Sequence, residues 1–432
     1  MKAIDRFLSL YQGWRVLGAS FVCAAMALGF TVYVFGIFVV PVSAEFGLSR
    51  ADANNGMIAL QLGSVFMAPL VGRLMDRFSA RHIMMMGGVA FGGALMLASR
   101  TSSPWFMLLM LTVPLTFGYA ACGVLGANTV VVRWFSNRRG RALGILALST
   151  SVGGMLSQPF TAFLIEAFGW RTALFQIGLI ATVGFLLMAI LVIRNRPTGS
   201  ERGYREEFTD ACSATEPDSP ADIDARQGRL WTYKELFCSR NFWLLAVGIG
   251  LMQASDQALL ASQVPHFQDL GFDIKTAALL ASVKTFSAIG GKVVVGYLAD
   301  KVDLRWLFVF VACANIGILA VYMMQPSFVV LLCTVALLGV AVGGVFPVWT
   351  TLISWLFGPR SFGTVMGVMM IITNPLAIIA LRVIGVVHDR YDSYVPAFGG
   401  FIVIVVIAMV LIANLKPPSD DSDESAIKDP VK

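Results

Sequence analysis

The segments GRLMDRFSAR, Gly72–Arg81, and GYLADKVDLR, Gly296–Arg305, decide how this chain is read. They share Gly72/Gly296, Leu74/Leu298, Asp76/Asp300 and Arg81/Arg305, each pair 224 positions apart. Each segment ends a long apolar run. A second echo joins RWFSNRRGRALG, Arg133–Gly144, to WLFGPRSFGTVMG, Trp355–Gly367, with Trp134 and Trp355 221 positions apart. Two echoes at nearly one offset imply a duplicated chain. Repeats in the same order imply two bundles related by an axis along a membrane normal.

Outward from these loops, the chain divides into apolar stretches long enough to cross ~30 Å of hydrocarbon. Twelve are expected, at 14–40, 54–75, 81–99, 104–134, 140–167, 171–193, 241–268, 274–298, 304–323, 327–357, 361–387 and 394–414. They are continuous runs and not the alternating ten-residue segments of a barrel. The expected fold is an all-α membrane protein with twelve transmembrane helices in two pseudo-symmetric six-helix bundles. The bundles are expected at 1–193 and 241–414, a polar cytoplasmic linker at 194–240 and a cytoplasmic tail at 415–432.

Composition agrees. Charged residues make up 13% and hydrophobic ones 57% of the 432 residues, against about 25% and ~45–50% in soluble domains. That balance excludes a soluble enzyme, a disordered chain and a disulfide scaffold. The net charge of +6 invites a nucleic-acid reading, but the basic residues cluster in the even-numbered loops and the termini. Only Arg50, Arg100, Arg171, Lys275 and Arg390 fall on the opposite side. A Lys/Arg excess marks the cytoplasmic face, so both termini are expected in the cytoplasm and the chain in the plasma membrane. The basic balance is topology, with no nucleic-acid partner. Cys23, Cys122, Cys313 and Cys333 lie in apolar runs, and neither Cys nor His has metal-site spacing. No metal, cofactor or enzymatic chemistry is expected.

A charge at mid-span costs roughly 2.5–3.5 kcal/mol on insertion scales, so it faces a cavity or a partner. Asp256, Lys284, Lys292 and Arg382 meet that condition. Lys284 and Lys292 form a row with Ala288, on roughly one side of a helix and about 12 Å apart along it. Asp256 lies in ASDQALLASQ beside Gln257, at a depth comparable to Lys284. It is the candidate proton-carrying group, and the alternative is a fixed ion pair with Lys284. Lys292, Lys284 and Arg382 are candidate anion ligands, each with snorkelling as the plain alternative.

With the twelve spans and duplicated halves, Gly72–Arg81 and its repeat resemble the signature loop of the major facilitator superfamily. Ser79–Ala80 and Lys301 depart from the usual pattern. The resemblance implies that Asp76 and Asp300 are gate residues, with Arg77, Arg81 and Arg141 as partners. Among the neutral residues, Tyr33, Asn128, Gln158, Gln257, Trp349 and Asn374 are candidate pocket residues, and the resemblance implies that spans 1, 4, 7 and 10 line the cavity. Packing or interfacial anchoring is the plain reading of any Tyr or Trp in a span.

A finer resemblance is to the monocarboxylate-porter and oxalate/formate-antiporter branch. It rests on GWRV at Gly13, FTVYVFGIFVVPVSAEFGLSRA from Phe30, RWFSNRRGRALGI at Arg133 and NFWLL at Asn241. There a carboxylate-binding arginine stands four residues before the loop glycine of span 8. Here that place holds Lys292, which keeps the charge but loses the bidentate fork. Where antiporters of the branch carry a lysine in span 11, this chain has Thr373–Asn374–Pro375. The expectation is proton-coupled transport of a small organic anion, a monocarboxylate, by a monomer working through alternating access. Efflux of hydrophobic or cationic compounds and dicarboxylate/monocarboxylate antiport are the alternatives.

Overall fold

The computed structural model describes residues 12–135, 139–194, 231–299, 301–324, 326–358 and 361–416. Most of the expected linker and tail therefore lies outside the described residues. Among those described, eleven helices are long and apolar enough to cross a membrane. One of them, Arg141–Leu191, has 51 residues. At 1.5 Å per residue it would reach about 76 Å, more than twice a bilayer core. It is two crossings. Gly169 interrupts it with φ +77° and ψ 160°, a conformation open to glycine because it has no Cβ. Twelve spans result.

Span 1 is Gln12–Tyr33, continued by Phe35–Phe46. Spans 2 to 4 are Arg50–Met75, Ala80–Ala98 and Pro104–Trp134. Spans 5 and 6 lie either side of Gly169. Spans 7 to 12 are Arg240–Asp269, Ile274–Val295, Leu304–Met323, Phe328–Phe357, Thr364–Tyr391 and Val395–Ala413. Large apolar side chains such as Leu187, Leu337 and Val403 are exposed along them. In water this would be a liability, but lipid tails solvate such a face.

Several spans are not uniform rods. Spans 1 and 4 widen into π-helical turns at Gly29–Tyr33 and Leu111–Leu115, an irregularity frequent at functional sites. Span 4 is broken at Gly123, between Thr116–Cys122 and Val124–Trp134. Span 10 is broken at Gly343–Gly344, between Phe328–Val342 and Val345–Phe357. Gly123 and Gly344 are 221 positions apart, the offset of the tryptophan repeat. The duplication therefore extends to helix irregularities.

Small residues let helices approach closely. A Cβ on Gly291 of span 8 would stand 1.7 Å from the Val340 carbonyl oxygen of span 10, and one on Gly36 of span 1 would stand 2.9 Å from that of Ala261 in span 7. One buried apolar cluster consists wholly of residues from Leu236 to Leu415. A larger one is dominated by the first half and extends into the second.

Besides the span 1–span 7 approach, two sets of polar contacts join the halves. At the end remote from the termini, Asp389 accepts from the backbone N–H groups of Arg50 (2.7 Å) and Ala51 (2.9 Å). Arg50 also reaches Asp269 at 3.4 Å, and Asn54 donates to the Leu381 carbonyl at 3.0 Å. From that end a seam runs down spans 5 and 8. Lys275 pairs with Glu166 at 2.8 Å, Gln158 donates to Thr285 at 3.1 Å, and Lys292 donates to Thr150 at 2.5 Å. Positions fall along one helix as they rise along the other, as antiparallel neighbours require. Among the described residues no cross-half hydrogen bond lies nearer the termini than that of Lys292. The molecule is closed at the remote end.

Candidate substrate-binding site

Span 7 carries Asp256 at mid-depth, half-buried. Its Oδ1 accepts from Nδ2 of Asn315 in span 9 at 2.6 Å, and Ser255 Oγ donates to Asn315 Oδ1 at 3.3 Å. The Lys284 ammonium acts on the Asp256 carboxylate through space. The two groups do not close to a salt bridge among the described residues. Lys284 instead donates to Gln263 Oε1 at 3.4 Å. Span 8 thus presents a cation to span 7, facing a carboxylate that is hydrogen-bonded from behind.

Lys292, two turns further along span 8, meets a different neighbour. Its ammonium reaches the Ala147 carbonyl at 3.3 Å and Thr150 Oγ1 at 2.5 Å, both on span 5. It has no acidic partner among the described residues. The eight-residue spacing explains the divergence. At about 100° per residue it leaves the two side chains roughly 80° apart, enough to turn one toward span 7 and the other toward span 5. The single row expected from the sequence is therefore fanned across two helices.

The third basic candidate stands elsewhere. Arg382 donates to the Ala51 carbonyl (2.8 Å), Asp52 (3.1 Å) and Asn55 (3.4 Å), and its side chain is 46% exposed. It belongs to the clasp at the remote end, apart from Lys284 and Lys292.

The neutral candidates are dispersed around these charges. Tyr33 closes the π-helical turn of span 1, against Gly154 of span 5, whose hypothetical Cβ would be 2.7 Å from the Tyr33 ring and 2.8 Å from the Thr285 methyl. Gln158 donates to the Gly154 carbonyl as well as to Thr285. Asn128, Gln257 and Asn374 are half-buried. Trp349 is 5% exposed, its ring 5.7 Å from Phe346. Gln257 Oε1, Gln158 Oε1 and Trp349 Nε1 are buried with no protein partner among the described residues. A cavity of about 320 Å³ has none of Asp256, Lys284 or Lys292 in its lining, but reaches Asp52 and Asn55, the partners of Arg382. It sits within the first half, lined by apolar groups such as Phe30, Phe38, Leu60 and Leu111.

Of the expected gate residues, Asp300 and the side chain of Asp76 lie outside the described residues. Arg77 and Arg141 are exposed. Arg81 donates to the Ile190 carbonyl at 2.9 Å, tying the start of span 3 to the end of span 6. The sequence reading did not single out Asn315, Gln263, Thr150 or Thr285. The first two are amides inside apolar spans, which is a signal in itself. The hydroxyls are too common in spans to stand out.

Comparison with known proteins agrees with this architecture. Monocarboxylate transporter 12 of Rattus norvegicus is 26% identical over 408 residues, covering 89% of this chain and 82% of the relative. The D-xylose-proton symporter superposes with a TM-score of 0.71 at 13% identity, over 94% of this chain and 98% of that one. A bacterial homologue of the human lysosomal transporter Spinster, solved inward-facing and unoccupied, gives 0.71 at 17% identity, over 93% and 96%. The sequence profile of the Major Facilitator Superfamily matches residues 21–381. With twelve spans in duplicated halves and that match over most of its length, the chain belongs to the major facilitator superfamily of transporters.

Proposed function

We propose that this transporter moves small organic monocarboxylates together with a proton, by alternating access. The observation that carries the reading is Lys292. Lys292 is half-buried, and a cation partly withdrawn from water gains from a counter-charge or further acceptors. Lys292 has one carbonyl and one hydroxyl, at the seam where the halves must separate. An incoming carboxylate supplies the missing charge and takes the ammonium from span 5. Lys284 adds a second cation, and Asp256 a carboxylate placed to take up and give back a proton as that charge balance changes. The similarity to Monocarboxylate transporter 12 supports the substrate class.

With the termini in the cytoplasm of a plasma membrane, the closed remote end faces outward and the protein stands open to the cell interior. The halves are the bundles 1–193 and 241–414, and one chain suffices. Asp76 and Asp300, with Arg77, Arg81 and Arg141, close the inner side in the opposite state. Tyr33, Asn128, Gln257, Trp349 and Asn374 shape the pocket between the halves.

The test is uptake into proteoliposomes of a panel of mono- and dicarboxylates, with internal pH recorded. Saturable monocarboxylate uptake with internal acidification, lost in Lys292→Ala, is the expected result. Exchange of dicarboxylates with no pH change would move the assignment to antiport. No saturable transport of any organic acid would overturn the substrate class.

A further inference from the structure

Span 9 packs on spans 10 and 12 and has little backbone contact with span 7. Its buried face is largely apolar, with Phe308, Val311, Ile318 and Leu319, but includes Asn315, which is fully buried, and the Tyr322 hydroxyl. A buried carboxamide in such a face is unfavourable unless hydrogen-bonded. Both side-chain partners of Asn315 come from span 7. Nδ2 donates to Asp256 Oδ1 at 2.6 Å, and Oδ1 accepts from Ser255 Oγ at 3.3 Å. The second oxygen of Asp256 makes no hydrogen bond among the described residues, and the residue is half-buried. One oxygen is held, and the other is open to proton exchange.

We propose that Asn315 is the positioning residue of the proton site, holding Asp256 in both charge states by turning its carboxamide over. The proposal rests on the proton role assigned to Asp256 above. With Asp256 ionised, the amide NH2 donates to the carboxylate and the amide oxygen accepts from Ser255. A proton arriving from water on the open oxygen of Asp256 makes the carboxyl a donor with no acceptor there among the described residues, and a half-turn of the carboxyl about its Cβ–Cγ bond brings that O–H round to face Asn315. Turned by 180°, the amide offers Oδ1 to the carboxyl O–H and Nδ2 to Ser255 Oγ, because a hydroxyl accepts as well as donates. To release the proton to water the carboxyl turns back, and the amide turns back with it. No buried group loses its partner in either state, which matters where an unpaired one is most costly. Lys284 cannot do this, since an ammonium has donors only. From span 8, Lys284 is the charged group that acts on Asp256; spans 7 and 9 present the neutral Ser255, Gln257 and Asn315.

The test needs no substrate, only the proton. Infrared difference spectra of the full chain in nanodiscs, titrated from pH 5 to pH 9, report the C=O band of a protonated carboxyl. Asp256→Asn identifies the band by deleting it. In Asn315→Leu, or Asn315→Ala should the leucine variant not fold, the midpoint of that band moves upward by about one pH unit. The variant loses a charge-assisted bond to the ionised form and only a weaker neutral bond to the protonated one. Asn315→Ser, which keeps a donor and an acceptor, stays within a few tenths of a unit of the parent. A merely structural amide would lower the melting temperature and leave the midpoint in place, and that result overturns the proposal. A parent chain with no titrating Asp256 band overturns the proton role itself, and the proposal with it.

Discussion

Asp389, near the end of span 11, caps Arg50 across the two halves. Its carboxylate accepts from the Arg50 N–H at 2.7 Å and from the Ala51 N–H at 2.9 Å, at the first turn of the short helix Arg50–Ala53. These N–H groups have no partner within their own helix, and the acceptor is charged. Asp389→Ala leaves both without an acceptor in the closed state and costs that state about 1–2 kcal/mol. The population open at the remote end rises roughly 5–30-fold. Spin labels at positions 48 and 393 read this as growth of a longer distance component. An unchanged distribution would show that the clasp is held by other contacts.

Lys292 and Thr150 give opposite outcomes. Lys292→Ala lowers apparent affinity for a transported anion by tenfold or more. Thr150→Val raises it a few-fold, because the ammonium no longer has to leave a hydroxyl at 2.5 Å. Isotherms on the purified variants check both signs. A fall in both would mean that Thr150 itself contacts the anion.

Asp303, between spans 8 and 9, sets a pH dependence of stability. It caps span 9 by accepting from the Arg305 N–H at 2.9 Å and receives the Arg305 guanidinium at 2.7 Å. The Arg305 side-chain hydrogen bonds first, then the backbone bond and its charge, hold this carboxyl below the usual carboxylate range. A depressed folded value stabilises the fold above the unfolded carboxyl value of about 3.9, and the gain is lost as pH falls through the lower folded value. Asp303→Asn therefore melts below the parent at pH 7, and the gap closes only below about pH 4. A gap constant across that range would remove the ion pair as its cause.

Gly291 and Gly290 form a matched pair. A Cβ at Gly291 meets the Val340 carbonyl oxygen at 1.7 Å, whereas one at Gly290 has nothing within 4 Å. Gly291→Ala forces spans 8 and 10 apart at about 1–3 kcal/mol, and Gly290→Ala is tolerated. Thermal melts of the two variants separate close packing from glycine flexibility, since flexibility would penalise both alike.

The fold was legible because lipid imposes a length rule that apolar runs obey directly. Asp256, Lys284 and Lys292 were legible because a charge stands out against such a run. Arg382 was harder to place. Its depth along span 11 says nothing of the Arg50–Ala53 helix that meets it from the other half. Asn315 was missed because only the tertiary structure shows that a span remote from the seam reaches Asp256. The π-helical turns of spans 1 and 4 left no mark that composition or periodicity could register, since they alter the winding of the backbone and not the apolar pattern.

The paired interruptions at Gly123 and Gly343–Gly344 bear on movement. In each, the rod nearer the termini starts afresh, as Val124–Trp134 in one half and Val345–Phe357 in the other. A continuous helix resists bending because each bend must break rungs of its hydrogen-bond ladder. Here those rungs are already missing at matching heights. Asn128 and Trp349 each lie five residues beyond the gap, so tilting either rod swings a candidate pocket side chain through an arc while the rods on the remote side stay still. The two halves carry the same joint, and each is able to flex without unwinding first.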